Sequence, residues 1–513
     1  MLVALVAVLG GVLAPAGSAA EFAAECAPPT DAPVLTIGRV DCLRFRSAAL
    51  GGVSAFSYYI PPGCAGRECP VLYYLHGTGG SYREGTSKAW IAALTSGPPV
   101  DPRTQAAPWE WADPATWVAK PAIDMIIVAP HGLTLPGGFG PGPDQNPFWF
   151  DWNPRYAAGG DTPRYATPAP RFHDYLVHEV VPYVDAHFPT SGTREQRAIV
   201  GYSMGGIGSL ANGLRHPDVF ASIGARSGGG FPYGTADGVV PAGAPGVAPP
   251  VAVPYERLPG VVPAAAPQAV WDNVLYGSVA TVGFGDPVVD QVWWRQTQPA
   301  ELVSNAVAHG RDGRQSVHIQ YFVNDAVPRR QDDLTGNPSA LYFEAILMPT
   351  NLQLESRFER AGVERTFHLG PGLHSGPYAQ PYFREQLEGQ YARLRHADGG
   401  GDPPPVAATF SYRSIERSFS IWGWEFATER AATEFLYLDS VSCERLVARG
   451  SGRVTVTVAG RCGTGVDGQR TFTVDLGPSQ PTDEPATGAV TSDGYGATRT
   501  VMLAPLRGPT STP

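Results

Sequence analysis

Lysine is nearly missing from this chain. Lys88 and Lys120 are its two lysines, and arginine supplies the rest of the 37 basic side chains. Such a bias reflects coding preference and carries no mechanism. The 47 Asp and Glu residues outnumber the basic groups, and the formal charge is −10. With no basic block, nucleic acid and anionic membrane surfaces are excluded as main partners. The sequence has no His-Glu-x-x-His, no Cys-x-x-Cys, no P-loop and no dinucleotide fingerprint. It therefore carries no linear signature of a metal, a nucleotide or another cofactor, and none is expected. After the first 20 residues no apolar run is long enough to span a bilayer, so stable membrane insertion is not expected.

Cysteine is sparse as well. The six cysteines fall as near pairs, Cys26 with Cys42, Cys64 with Cys69 and Cys443 with Cys462. None adjoins a candidate base, which argues against a cysteine nucleophile. Local pairing as structural staples fits an oxidising compartment, although six cysteines allow about 15 connectivities. The opening "MLVALVAVLGGVLAPAGSAA" has an apolar core followed by small residues, with Ser18 and Ala20 suited to a signal-peptidase site. Residues 1–20 are expected to be an export signal and the protein to be secreted.

The length of 513 residues implies two to three domains. From 21 to 398, short apolar runs alternate with helical patterns, which predicts an α/β fold with a mostly parallel, doubly wound sheet. "DCLRFRS" and "VSAFSYYIPPG" read as an antiparallel start. "PVLYYLHG" and "DMIIVAPHG" follow as buried strands ending in His-Gly. "RFHDYLVHEVVPYVDAHF" has a helical apolar face that Pro182 should disturb. A Gly/Pro-rich stretch beginning near 229 reads as an insertion reaching to about 300. Residues 399–408 read as a linker. Period-two patterns such as "RVTVTV" then predict a small β-sandwich-like domain over 409–507.

The chemistry centres on "QRAIVGYSMGGIGSL", residues 196–210. Gly-x-Ser-x-Gly alone is a weak signal in a chain with 61 glycines. Here a strand pattern runs into the motif and a helix pattern runs out of it. That context makes Ser203 the nucleophile of a strained strand-to-helix elbow. A serine needs a base and an acid that orients the base, expected in the order Ser, acid, His. Asp325 leaves the strand "VHIQYFV" and is the expected acid, with Asp332 and Asp333 as competitors further into the loop. His374, in the glycine-rich loop before the closing helix, is the expected base, with His368 as its rival inside a strand. An oxyanion hole would use the backbone N–H of Met204 and a second from "HGTGGS", at Thr78 or Gly79.

Four stretches carry a family resemblance: "HGTGGS", "DYLVHEVVPYVDAHFPT", "RAIVGYSMGGIGSLANGLRHPDVFASIGARSGG" and "GLHSGPYAQPYF". Over residues 35–398 the chain resembles the esterase-D-like branch of α/β-hydrolases, which includes feruloyl and acetyl-xylan esterases, S-formylglutathione hydrolase and mycolyltransferases of the antigen 85 type. The resemblance implies an α/β-hydrolase fold and a metal-independent serine hydrolase with Ser203, Asp325 and His374 in the three roles. The expected activity is that of a carboxylesterase on an extracellular, possibly polymeric, feruloyl, acetyl, polyester or lipid ester. The rival activity is acyl transfer of the mycolyl type; that branch uses a glutamate as acid, where this chain offers Asp325. A non-catalytic, polymer-binding relative is the third reading. The insertion and the C-terminal β region depart from the family pattern. Aromatic residues in "NPFWFDWNP", Trp293 and Trp294 fit either a substrate pocket or a packed interior. The row Trp422, Trp424 and Phe426 fits either a polymer-gripping face or a sandwich core.

Overall fold

The computed structural model describes residues 40–78, 80–102, 108–132, 149–157, 159, 169–230, 290–330, 333, 338–430, 433–462, 471–478 and 499–502. The expected export signal at 1–20, most of the insertion, Cys26, Gly79 and Asp332 lie outside them. Two of the expected disulfides, Cys64–Cys69 and Cys443–Cys462, are formed.

Eight strands build the main sheet: β1 (Val40–Ser47), β2 (Gly52–Tyr59), β3 (Val71–Leu75), β4 (Ile126–Pro130), β5 (Arg197–Gly201), β6 (Ser222–Arg226), β7 (His318–Asn324) and β8 (Thr366–Gly370). Their order is β1-β2-β4-β3-β5-β6-β7-β8. β1 pairs antiparallel with β2, and β2 antiparallel with β4. Every other pairing is parallel. β3 to β6 are the apolar runs seen in the sequence, and β3, β4, β5 and β6 are buried at every residue. Burial on both faces is what a parallel sheet covered by helices requires.

The helices that cover it include α1 (Lys88–Ala93), α2, α3 (Met204–Arg215), α4 (Gln291–Gln296), α5 (Pro338–Arg360) and α6 (Phe383–Ala392). α2 begins as Phe172–Asp174, widens to a π turn over Tyr175–Val180 and finishes as Val181–His187. The sequence reading expected Pro182 to disturb this helix, and the π turn lies directly before it. Val181 N–H bonds the Leu176 carbonyl five residues back. Pro182 has no N–H to offer His178 and its ring crowds that carbonyl, so widening the turn relieves the clash. α5, which the sequence reading did not identify, is the longest described helix. α4 ends before Pro299, and a 3₁₀ stretch, Pro299–Ala306, continues the path.

The C-terminal part forms two antiparallel sheets from β9 (Thr409–Ser414), β10 (Ser418–Ile421), β11 (Trp424–Glu429), β12 (Leu436–Val441), β13 (Arg445–Arg449), β14 (Arg453–Thr457), β15 (Thr471–Asp475) and β16 (Arg499–Met502). One has the order β10-β11-β14-β15. The other is β16-β13-β12-β9, extended by the two-residue strand Ala308–His309 of the preceding unit. Trp422, Trp424 and Phe426 are all buried. The aromatic row is therefore core, with Glu425 and Ala427 taking the outward alternate positions. Glu301, fully buried, ties the two parts together by accepting ion pairs from Arg295, Arg357 and Arg413 of β9.

Candidate active site

The order β4-β3-β5 reverses the direction of chain winding between β3 and β5. Loops leaving the C-terminal ends of those two strands diverge there and open a crevice, which is where ligands bind in such sheets. Leu75, the last residue of β3, pairs with Gly201, the last of β5. The segments "HGT" (76–78) and "YSM" (202–204) are thus set side by side, and the Tyr202 N–H bonds the Leu75 carbonyl.

Ser203 occupies φ 56°, ψ −120°, between β5 and α3. Non-glycine residues rarely hold such a backbone, and its strain is maintained by the surroundings. The Ser203 N–H bonds the Arg226 carbonyl of β6, and the Ser203 carbonyl takes the first bond of α3 from Ile207. The motif glycines allow the turn to close. A Cβ on Gly201 would lie 2.0 Å from the Gly205 carbonyl oxygen, and one on Gly205 would lie 1.9 Å from that of Leu75. Gly77 comes close enough that a Cβ there would sit 3.3 Å from Ser203 Cβ. Met204 opens α3, so its N–H has no partner within the helix. Thr78 is exposed in the turn closed by the Gly80 N–H to the Gly77 carbonyl. The residues expected to form the oxyanion hole are therefore brought to the two sides of Ser203.

A buried scaffold holds that turn. His76 Nε2 accepts from the Gly132 N–H at 2.9 Å, so the proton is assigned to Nδ1, which faces the Gly77 carbonyl at 2.8 Å. Burial pushes the His76 pKa down to about 4 and that of its neighbour His131 well below the ordinary value. These histidines are neutral fixtures. Trp149 donates from Nε1 to the His76 carbonyl at 3.2 Å and packs where Gly132 and Gly208 lack side chains. Trp149, Phe150 and Trp152 are all buried, so this aromatic cluster anchors its loop. Beneath the turn, Glu84 accepts from Tyr74 Oη at 3.2 Å and from the Gly77 N–H at 3.4 Å. Burial raises its pKa to about 7.

His374 lies where the sequence reading placed it, after β8, with its ring stacked on Tyr202 at 4.8 Å between centroids. Its backbone N–H bonds the Ala340 carbonyl, and Asn324 Nδ2 donates to the Leu373 carbonyl at 2.9 Å. No hydrogen bond joins Ser203 Oγ to His374; only neighbouring residues, through the Tyr202 stack, bring them together. His368, the rival, stays in β8 facing Glu385 at 3.2 Å.

The structure does not bring the expected acid to the expected base. Asp325 does not meet His374. Its Oδ1 accepts from the Val327 and Gly372 N–H groups, each at 2.9 Å, and Oδ2 pairs with Arg329. Held in this turn, it braces the His374 loop. Asp333 is likewise engaged, accepting from Tyr378 Oη and two backbone N–H groups. The carboxylate against His374 is Glu344 of α5, with Oε2 2.7 Å from Nδ1. Its side chain is fully buried. Oε1 accepts from the Asn324 N–H at 2.6 Å and from Ser227 Oγ at 2.7 Å. Ser227 itself sits at φ 44° directly after β6. The end of β6, the end of β7 and His374 thus converge on one carboxylate.

The eight-stranded order with a serine elbow after β5 and a histidine after β8 defines an α/β-hydrolase. Residues 140–394 match the family described as "Putative esterase". That match covers 255 of the 513 residues and falls within the hydrolase part of the chain. An S-formylglutathione hydrolase of Paracoccus denitrificans (strain Pd 1222) is 28% identical over 189 residues, 36% of this chain and 54% of the relative. The match thus spans about half the length of that curated relative. Among solved structures, an S-formylglutathione hydrolase of Agrobacterium tumefaciens is 16% identical with a TM-score of 0.42, over 70% of this chain and 97% of the other. MPT51 of Mycobacterium tuberculosis is 14% identical with a TM-score of 0.42, over 70% and 99%.

Proposed function

We propose that the protein is a serine carboxylesterase in which Ser203 is the nucleophile, His374 the base and Glu344 the acid. The observation that carries the reading is the strained Ser203 elbow, set between the Gly77–Thr78 turn and a His374 held by a buried glutamate. Ser203 Oγ attacks the ester carbonyl while His374 takes its proton. The Thr78 and Met204 N–H groups, at the positive end of α3, stabilise the developing oxyanion. With Glu344 ionised, Nδ1 of His374 carries the proton and Nε2 is left as the base. His374 then protonates the leaving alcohol, and water, activated by the same imidazole, releases the acid from Ser203. The chemistry of the Ser-His-Glu set needs no cofactor.

Secretion belongs to the same proposal. It is supported by the apolar N-terminal sequence and by the disulfides, and it favours an extracellular ester, including esters on polymers. Glu344 also removes the argument that set this chain apart from glutamate-using acyltransferases, so acyl transfer is the second reading. Hydrolysis of p-nitrophenyl esters from acetate to palmitate, with and without an added acceptor alcohol, separates the two. Free acid as the product in both cases supports hydrolysis. Partition into a new ester that exceeds hydrolysis supports transfer.

A further inference from the structure

At the far end of α3, about 18 Å along the helix from the elbow, a second polar cluster involves Asp151, His173, Asp174, His178 and His216. His173 lies near the start of α2 with its side chain 1% exposed. Its Nδ1 is 3.3 Å from Asp151 Oδ2 and 3.3 Å from Asp174 Oδ1. Despite this closeness, Nδ1 makes no hydrogen bond. The other carboxylate oxygens are already used. Asp151 Oδ1 accepts from the His173 N–H at 2.9 Å, and Asp174 Oδ2 pairs with Arg171 at 2.8 Å. His178 Nε2, on the solvent side, is 3.9 Å from Asp174 Oδ1.

We propose that His173 Nδ1, Asp151 Oδ2 and Asp174 Oδ1 bind a divalent cation of the zinc type, and that the exposed His178 ring turns inward to complete four-coordination through Nε2. Zinc bonds to imidazole nitrogen and carboxylate oxygen are about 2.0–2.2 Å, which places neighbouring tetrahedral ligand atoms about 3.3–3.6 Å apart. The two separations at His173 match that edge, and their poor alignment does not suit hydrogen bonds. The ring's other nitrogen is also engaged. His173 Nε2 contacts His216 Nε2, and one of the two must carry the proton. If His173 donates it, Nδ1 turns a lone pair toward two carboxylate oxygens, an arrangement that a cation among them stabilises. A metal-bound histidine normally donates its second N–H to such an outer partner. Asp151 comes from the loop after Trp149, so the ion would pin that loop to α2. The sequence shows no linear metal motif because the ligands come from two separate segments.

The test is metal content and stability of the full chain. The protein is stripped with EDTA, dialysed against micromolar zinc sulfate, then measured for zinc per chain and for Tm. Wild type is expected to retain close to one zinc and to melt higher with it. Asp174→Asn and His178→Ala, both on exposed or part-exposed side chains, are expected to bind zinc at least tenfold more weakly with the metal-free Tm little changed. Asp439→Asn, at a distant surface pair with Arg449, should behave as wild type. Cobalt(II) in place of zinc should give the intense visible bands of four-coordinate geometry in wild type alone among the first three. Failure of wild type to retain zinc, or equal retention by Asp174→Asn, His178→Ala and Asp439→Asn, would overturn the proposal.

Discussion

Glu344 Oε2 lies 2.7 Å from His374 Nδ1, although the two residues sit on different elements, a helix and a loop 30 residues apart. Asn324 and Ser227 fix the other oxygen of the same carboxylate. Replacing the acid with its amide keeps the shape and removes the charge that sets the imidazole tautomer. Glu344→Gln is expected to lower kcat by about 10³–10⁴-fold with the fold retained. Asp325→Asn is expected to lower kcat by less than about tenfold, its main effect being a loss of Tm through the Gly372 loop. Steady-state kinetics and thermal melts on both variants check the assignment, and the reverse order would restore Asp325.

Glu84 titrates beneath the Gly77 turn. Its folded pKa of about 7 lies above the ordinary value of 4.5. The folded state therefore binds the proton more tightly, and the stabilisation is full below about 4.5 and is lost as pH rises through about 7. Melting wild type and Glu84→Gln across pH 4–8 should show a falling difference in favour of wild type over that window. Parallel curves would show that Glu84 is not the group responsible.

Glu301 offers the opposite sign. Three arginines hold its pKa down to about 2, below the ordinary 4.5, against the cost of burial. Its contribution is present above about 4.5 and is lost as pH falls toward about 2. Glu301→Gln leaves Arg295, Arg357 and Arg413 facing one another without a counter-charge. A loss of about 3–5 kcal/mol in denaturant unfolding at neutral pH is expected.

Gly205 admits no side chain, because a Cβ would meet the Leu75 carbonyl oxygen at 1.9 Å. Gly205→Ala is expected to abolish activity and to cost several degrees of Tm, since backbone, and not a flexible side chain, would have to move. A variant with wild-type rate and Tm would show that the elbow is less tightly closed.

The sheet and the elbow were legible because their signals are local. β3 and β4 are unbroken apolar runs, β5 and β6 have apolar centres, and Ser203 stands between a strand pattern and a helix pattern. The antiparallel strands of the C-terminal part showed in the alternation of Val454 and Val456. The contact of Glu344 with His374 was not legible, because α5 was not. Pro349 interrupts its pattern, and its buried face mixes polar with apolar groups. Ala340, Glu344, Leu347, Asn351, Leu354 and Phe358 nevertheless recur at helical spacing and are all buried. A glutamate on that stripe was the available signal, because a buried carboxylate requires a partner. Asp325 was favoured by its place at a strand end, a position that its backbone contacts explain equally well. Glu84 and the His173 cluster depend on contacts between segments far apart in sequence, which no spacing rule reports.

Under the proposed function, Ser203 is an acylated nucleophile served by His374 and Glu344. The most direct measurement is hydrolysis of p-nitrophenyl acetate by wild type and Ser203→Ala, with mass spectrometry of the quenched wild-type reaction. Wild type is expected to turn over and to carry an acyl adduct on the peptide containing Ser203, and the variant to lose about 10⁴-fold or more in rate. Equal rates in the two proteins, or an adduct on another residue, would contradict it.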